Sequence, residues 1–351
     1  RVRKSNNQTI SNQTILLMDI HVQELLQATI DEGASDLHIR AYMPPKLRVH
    51  GELLPIADEE LTEDDSKALV MEMLENLGDK SKYEELEKNG GADFALAHPD
   101  GTRFRVSVFK ERKRYGAVLR QIPNTLLTME QLGLPPVVKE LLFKPRGLIL
   151  VTGPTGSGKS TTISALLKEY LSQKGGYCFT IEDPIELPLD GVYLTPSGEL
   201  GLCKQTTPPD GIWQEGIKSA LRSKPRYIYL GEIRDPHVAS EALRAATSGH
   251  LVLSTIHANN VSDSINSLVK YAASSGISED MAYELVANGF LGCLHQILSG
   301  APKKISVTYV FANPDLSAGC QVRSMFRNGK LNLSTIMEQQ KIKMDKGMPL
   351  F

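Results

Sequence analysis

A chain of 351 residues with 41% apolar content is long enough for two domains and ordinary for a folded globular protein. Its 39 Lys and Arg against 41 Asp and Glu leave a net charge of −2, which gives no global electrostatic drive toward nucleic acid. No apolar run approaches the roughly 20 residues of a membrane-spanning helix, the start RVRKSNNQTISNQ has no apolar signal core, and the scattered Cys178, Cys203, Cys293 and Cys320 fit a reducing cytoplasm and argue against a cysteine zinc site.

Residues 1–17 are polar and rich in Asn, Gln and Thr, and are expected to form a flexible arm. From residue 19 the spacing of Ile20, Leu25, Leu26 and Ile30 predicts an amphipathic helix ending before Gly33. Residues 35–40 alternate and predict a strand, broken at Pro44-Pro45. A second strand over 46–50 turns at Gly51-Glu52 into Leu53-Leu54. Thr62-Glu-Asp-Asp65 has the form of a capping box with Asp in the Glu place, opening a helix to about Leu77. A charged helix is expected near 82–88. Residues 91–123 read as an antiparallel meander with strands over 92–97, 102–109 and 115–122, a turn at Pro99-Asp100-Gly101 and a basic link over 110–114. These elements predict an α+β domain over residues 18–122, followed by a hinge linker over 123–136 with a short packed piece near Met129–Leu132.

A second domain, 137–351, is expected to be α/β with a mostly parallel, doubly wound sheet. Strands are predicted at 148–151, 177–181, 227–230, 250–256 and 305–311. Helices are predicted at 160–170, 212–223, 238–247 and 261–272, and a long one over 279–298. Residues 187–210 are left unassigned.

The chemistry centres on the turn after the first of these strands. Gly153-Pro-Thr-Gly-Ser-Gly-Lys-Ser160 fits G-x-x-x-x-G-K-[ST] at every fixed position, between a strand and a helix. Phosphates carry several negative charges. Glycines without Cβ let backbone N–H groups close around them, and the helix start adds unpaired N–H groups and a positive dipole end. Gly153, Pro154, Thr155, Gly156, Ser157, Gly158, Lys159, Ser160 and Thr161 are therefore the predicted nucleotide-binding residues, with Lys159 on the β- and γ-phosphates and the Ser160 hydroxyl on Mg²⁺. Three further stretches end strands where they would face the phosphates: 180–186 with Glu182 and Asp183, 227–235 with Glu232, and 247–257 with His257. The usual Asp-Glu pair of the third strand is here Gly231-Glu232, so Glu182 or Asp183 must restore the count. Glu182 is assigned to polarise the attacking water and Glu232 to the Mg²⁺ shell; the reverse assignment stays open. His250 and His257 lie seven apart, on opposite faces of a strand. His257, at the carboxyl end, is the phosphate sensor, and His250 a packing or contact residue.

Taken in order, GPTGSGKSTT, TIEDPIE, GEIRD and TSGHLVLSTIHAN resemble the PilT/GspE superfamily of secretion ATPases over almost the whole chain. Ala34-Ser-Asp-Leu-His38, Arg103-Phe-Arg-Val106 and Gly116-Ala-Val-Leu-Arg120 resemble that family's PAS-like N-terminal domain. The resemblance implies a RecA-like domain binding ATP and Mg²⁺, and a homo-hexamer in which one subunit's N-terminal domain lends arginines to its neighbour's nucleotide. Arg105 and Arg120 match such positions. Lys113 stands in the middle one, flanked by Arg112 and Arg114, either of which is the candidate third contact. The resemblance further implies a cytoplasmic ATPase, peripheral at the inner membrane, passing force to a platform protein. Phe326-Arg-Asn-Gly-Lys330 and Gly347-Met348 resemble the tail of PilT-type pilus retraction ATPases. Lys224-Pro225-Arg226 is nearer the DotB/TraJ-like ATPases of secretion and conjugation, which are the alternative. From other classes, a nucleic-acid-translocating motor lacks basic, aromatic-bearing loops (Trp213 is the only tryptophan), and a non-hydrolysing scaffold is at odds with the set Lys159, Ser160, Glu182 and Glu232.

Overall fold

The computed structural model describes residues 20–112, 114–122, 126–300 and 304–351; the arm over 1–17, Lys113 and Pro123-Asn124 lie outside them. The chain divides into two units, Arg1–Asn124 and Thr125–Phe351.

In the first unit, α1 (Val22–Asp31) and β1 (Asp36–Arg40) are followed by a hairpin of β2 (Lys46–Val49) and β3 (Glu52–Pro55). Helix α2 (Glu63–Leu77) starts on the reciprocal cap expected at Thr62. The Asp65 N–H donates to Thr62 Oγ1 at 3.1 Å and the Thr62 N–H to Asp65 Oδ2 at 2.8 Å. It stops at Gly78, which takes the left-handed conformation. Helix α3 (Lys80–Asn89) leads into the meander β4 (Gly91–Ala97), β5 (Arg103–Glu111) and β6 (Arg114–Ile122). All six strands form one antiparallel sheet in the order β3-β2-β1-β6-β5-β4. Strand alternation sorts its faces: Leu37, Ile39, Leu47, Phe104, Val106, Val108 and Leu119 join Leu25, Leu69, Val70 and Met73 in one core. The intervening residues, including Asp36, Arg48, Arg105 and Arg120, point the other way.

The second unit opens with a short packed piece. Met129, Leu132 and Leu134 enter its core beside α4 (Val137–Leu142). Strand β7 (Gly147–Thr152) is buried along its whole length and runs through the phosphate-loop sequence into α5 (Lys159–Lys174). Then come β8 (Gly176–Ile181), β9 (Gly191–Leu194), β10 (Leu200–Thr206), α6 (Trp213–Arg222), β11 (Tyr227–Leu230), α7 (Pro236–Thr247), β12 (Leu251–Ile256), α8 (Val261–Ser274), α9 (Glu279–Gly289), β13 (Phe290–Ser299), β14 (Lys304–Phe311), α10 (Gln321–Arg327) and α11 (Ser334–Asp345). The sheet order is β14-β13-β7-β12-β11-β8-β10-β9, parallel except at its two outermost pairs. Helices α4 and α5 pack on one face and α6 to α10 on the other.

Two features depart from the sequence expectations. The helix predicted over 279–298 ends at Gly289, and the rest is β13, inserted between β7 and β14. A continuous apolar run fits a buried strand as well as a buried helix, so periodicity does not separate them. Packing does: a Cβ at Gly292 would sit 2.6 Å from the Phe311 ring, and one at Gly289 3.3 Å from Ala246 and Thr247. The unassigned stretch forms the β9–β10 hairpin, with β10 added to the parallel sheet beside β8.

Candidate functional site

Strands β7, β12, β11 and β8 are neighbours and parallel, so their carboxyl ends lie along one edge. At that edge stand the loop 153–160, His257, Gly231-Glu232 and Glu182. This places the separate stretches singled out in the sequence side by side.

The loop is shaped by its glycines and by β13. Gly153 (φ 141°) passes so close to that strand that a Cβ would lie 2.2 Å from the Gln296 carbonyl. Gly158 (φ 85°) is left-handed and opens α5. The fully buried Gln296 side chain ties the second half of the loop to the first turn of α5. Its Nε2 donates to the Ser157 carbonyl at 2.6 Å and its Oε1 accepts from Thr162 Oγ1 at 2.9 Å. Ser157 Oγ is buried and has no hydrogen-bond partner among the described residues. Pro154, Thr155 and Gly156 are exposed at the mouth, and Ser160 and Thr161 follow, half-buried, on the first turn of α5.

Lys159 is buried, and its ammonium donates to the Gly153 and Pro154 carbonyls, both at 3.0 Å. It also lies 3.4 Å from His257 Nδ1. An ammonium can only donate, so in that contact Nδ1 is the acceptor. The other ring nitrogen, Nε2, faces Glu232 Oε1 at 3.4 Å. Lysine, histidine and glutamate thus form one continuous chain across three strand ends. Burial pushes the Lys159 pKa below its ordinary value, partly opposed by the Glu232 and Glu186 charges.

Glu182 is 4% exposed. Its Oε1 accepts from Thr180 Oγ1 at 2.7 Å and from Gln205 Nε2 at 2.8 Å. Gln205 on β10 also donates to the Leu187 carbonyl and accepts from the Leu189 and Asp190 N–H groups, so its amide is fixed on every side. Glu182 also lies beside Gly231, the position that lacks the expected acid. A Cβ on Gly231 would lie 3.3 Å from Glu182 Cα and 3.6 Å from its Cγ, so a side chain at 231 would crowd the neighbouring strand at Glu182. Asp183 is exposed and Glu186 half-buried. His250 lies at the opposite end of β12, its Nδ1 2.7 Å from the Pro225 carbonyl.

The donors near the loop are hard oxygens, the Ser160 hydroxyl and the Glu232 carboxylate. Among the described residues no three or more His, Cys, Asp or Glu side chains converge on one point. An ion there would take most of its ligands from phosphate and water, the habit of Mg²⁺. A cleft of about 360 Å³, lined by Trp213, Glu232, Arg234 and Asp235 among others, opens beside Glu232. Another of about 420 Å³, lined by Glu140, Lys144, Asn313 and Phe351 among others, contains none of the predicted residues.

The predicted arginines belong to the first unit. Arg105 on β5 and Arg120 on β6 are directly paired across the sheet, both exposed. Arg112 sits in the hairpin turn with φ 49°. Arg114 is bonded to Glu63 at 2.8 Å and packs over the Tyr42 ring. Gln205 and Gln296 are the residues that sequence reasoning missed. Both lie in the two stretches without a correct element assignment, and each reaches its partner through strand pairing.

The family model described as type II/IV secretion system protein matches residues 12–338. The type IV pilus retractation ATPase PilT of Pseudomonas aeruginosa is 35% identical over 311 residues, covering 88% of this chain and 86% of that one. A twitching motility protein of Neisseria gonorrhoeae is 30% identical over 295 residues, 83% of this chain and 74% of that one. Among solved structures, the pilus retraction motor PilT with bound ADP matches with a TM-score of 0.77 at 30% identity, covering 92% of this chain and 90% of that one. The ATPase DotB of Legionella pneumophila shares the fold, with a TM-score of 0.71 at 24% identity over 92% of this chain and 86% of that one.

Proposed function

The chain belongs to the type II/IV secretion system protein family, and on that footing we propose that it hydrolyses ATP to power retraction of a type IV pilus. The observation that carries the hydrolytic part is the Lys159–His257–Glu232 chain beside the buried, oriented Glu182. The identity and coverage shared with PilT favour retraction; the likeness to DotB extends to the fold alone.

The loop 153–161 binds the phosphates, Lys159 neutralises the β- and γ-oxygens, and Ser160 and Glu232 hold Mg²⁺, directly or through water. The ion supplies neutralisation of the phosphate charge. Glu182 orients and deprotonates the attacking water, Thr180 and Gln205 having fixed the plane of its carboxylate. His257 couples the lysine to Glu232, so the state of the terminal phosphate is felt at the acid. Arg105 and Arg120 complete the site of a neighbouring copy in a hexamer, where an arginine of this kind contributes roughly 10³–10⁵ in rate. The linker after residue 122 absorbs the rotation between closed and open states. The ring works on the cytoplasmic side of the inner membrane against a platform protein. No helix among the described residues is long and apolar enough to cross a membrane.

The test is ATPase rate against protein concentration for wild type, Glu232→Gln and Arg105→Ala, alone and mixed. The expected result is a steep concentration dependence, loss in each variant and partial recovery on mixing. A concentration-independent rate that survives Arg105→Ala removes the shared-site mechanism.

A further inference from the structure

The pairings of the N-terminal sheet place Arg48 opposite Asp36, Asp36 opposite Arg120, and Arg120 opposite Arg105. Paired residues share a face, so the four side chains form one transverse row across β2, β1, β6 and β5. The row is on the face turned away from the helices, since the residues flanking it in sequence, Leu37, Leu47, Phe104 and Leu119, are core. Two of the arginines, Arg105 and Arg120, stand directly opposite each other. Like charges placed opposite each other destabilise a sheet unless other groups balance them, and Asp36 does so for Arg120.

Asp36 holds this row together. It is 3% exposed and accepts from Arg120 Nε at 2.8 Å and from Ser35 Oγ at 2.8 Å, with Arg48 Nε at 3.4 Å. Both arginines are gripped at Nε, the root of the guanidinium. The Arg120 side chain is otherwise 63% exposed, and Arg48 has one terminal nitrogen 3.4 Å from the Gly51 carbonyl. A guanidinium pinned in this way presents its outer N–H edge in a fixed direction, the arrangement that suits phosphate oxygens.

We infer that Arg48 is the third cation of a phosphate-recognising row with Arg105 and Arg120, and that Asp36 is the positioning residue for Arg48 and Arg120. The inference rests on the proposal that Arg105 and Arg120 act on the nucleotide of a neighbouring copy, and it replaces the hairpin-tip candidates. Arg114 is already engaged with Glu63 and Tyr42. It lies six residues along β6 from Arg120, about 20 Å at roughly 3.4 Å per residue, against about 10 Å, two strand spacings, for Arg48.

Steady-state hydrolysis and ADP binding are compared in full-length Arg48→Ala, Arg48→Lys, Asp36→Asn, Arg105→Ala and Arg120→Ala. Arg40→Ala, on the same face but outside the row, is the control. Arg48→Ala and Arg120→Ala are both expected to lower kcat about tenfold or more, with KM and ADP affinity within about twofold of wild type and partial recovery in Arg48→Lys. Asp36→Asn is expected to lower kcat in the same way while melting cooperatively; if it fails to fold, the half-buried Arg48 decides the matter through its own variants. A kcat within about twofold of wild type in Arg48→Ala, with Arg105→Ala and Arg120→Ala inactive, overturns the inference and leaves the underlying reading standing. Full activity in Asp36→Asn overturns the positioning role. Full activity in all three arginine variants overturns the reading and the inference together.

Discussion

Gly231 stands where P-loop enzymes commonly carry the first of two acids, and its environment explains the substitution. The backbone of Glu182 passes within 3.3 Å of where a Cβ would be. The two acids of this site therefore come from adjacent strands, and a side chain at 231 would push Glu182 out of place. Gly231→Asp restores the common sequence pattern, yet it is expected to lower kcat about tenfold with KM little changed, because the crowding at Glu182 shifts that acid out of alignment. Steady-state kinetics decides it; a rate equal to or above wild type would mean Glu182 is not the water-orienting acid. Asp36 makes a second prediction at this scale. Burial raises its pKa, but the bonds from Arg120 and Ser35 and the Arg120 and Arg48 charges outweigh that and hold it below the ordinary 3.8. A depressed folded pKa means that the unfolded chain binds the proton more readily. The stabilisation is present above about pH 4 and is lost as pH falls through the folded value. Urea unfolding followed from neutral pH to about pH 3 should show Asp36→Asn less stable at neutral pH and less sensitive to acid than wild type. Parallel curves would show that Asp36 contributes nothing to the acid transition.

At the scale of elements, the parts legible in the sequence were those written in consecutive residues. The phosphate loop, the acids at strand tips and His257 each follow a short apolar run, and the edge on which they meet follows from parallel strand order. Thr62 and Asp65 announced their helix in the same local way. What was not legible depends on pairing between distant segments. The β13 run has an apolar pattern that also fits a buried helix, and only its place between β7 and β14 decides for a strand. With β13 misread, Gln296 had no route to the loop, and without β10 Gln205 had none to Glu182. The tie through Gln296 is therefore a property of the element's position. Gln296→Leu removes the partners of the Ser157 carbonyl and the Thr162 hydroxyl. It is expected to cost about 1–3 kcal/mol of stability and to weaken ADP binding, since the loop loses its brace. Urea midpoints with and without ADP measure both. Loss of stability with ADP affinity unchanged would make Gln296 a core residue only.

For the whole molecule, the division of labour follows from where the two cores lie. The first unit buries Leu25, Leu37, Phe104 and Leu119 around its own antiparallel sheet, and the second buries both faces of a parallel sheet with its own helices. Each set of residues that binds or orients phosphate by the proposed mechanism is confined to one unit: the loop, Glu182, Glu232 and His257 to the second, the arginine row to the first. A protein made of residues 125–351 alone then keeps the phosphate loop, Glu182, Glu232 and His257, and lacks the first unit with its arginines and Asp36. It is expected to fold and to bind ADP. Its transition should rise with ligand by roughly 2.7 kcal/mol when ADP is at about 100 times its dissociation constant. Its turnover should fall by at least the roughly 10³-fold that an arginine contact supplies. Differential scanning calorimetry with and without ADP, paired with an ATPase assay on the same sample, separates these outcomes. ADP stabilisation with lost turnover places catalysis on groups that the truncation removes. Undiminished turnover by the isolated second unit would place the whole reaction within it, and the arginines would then serve movement and not chemistry.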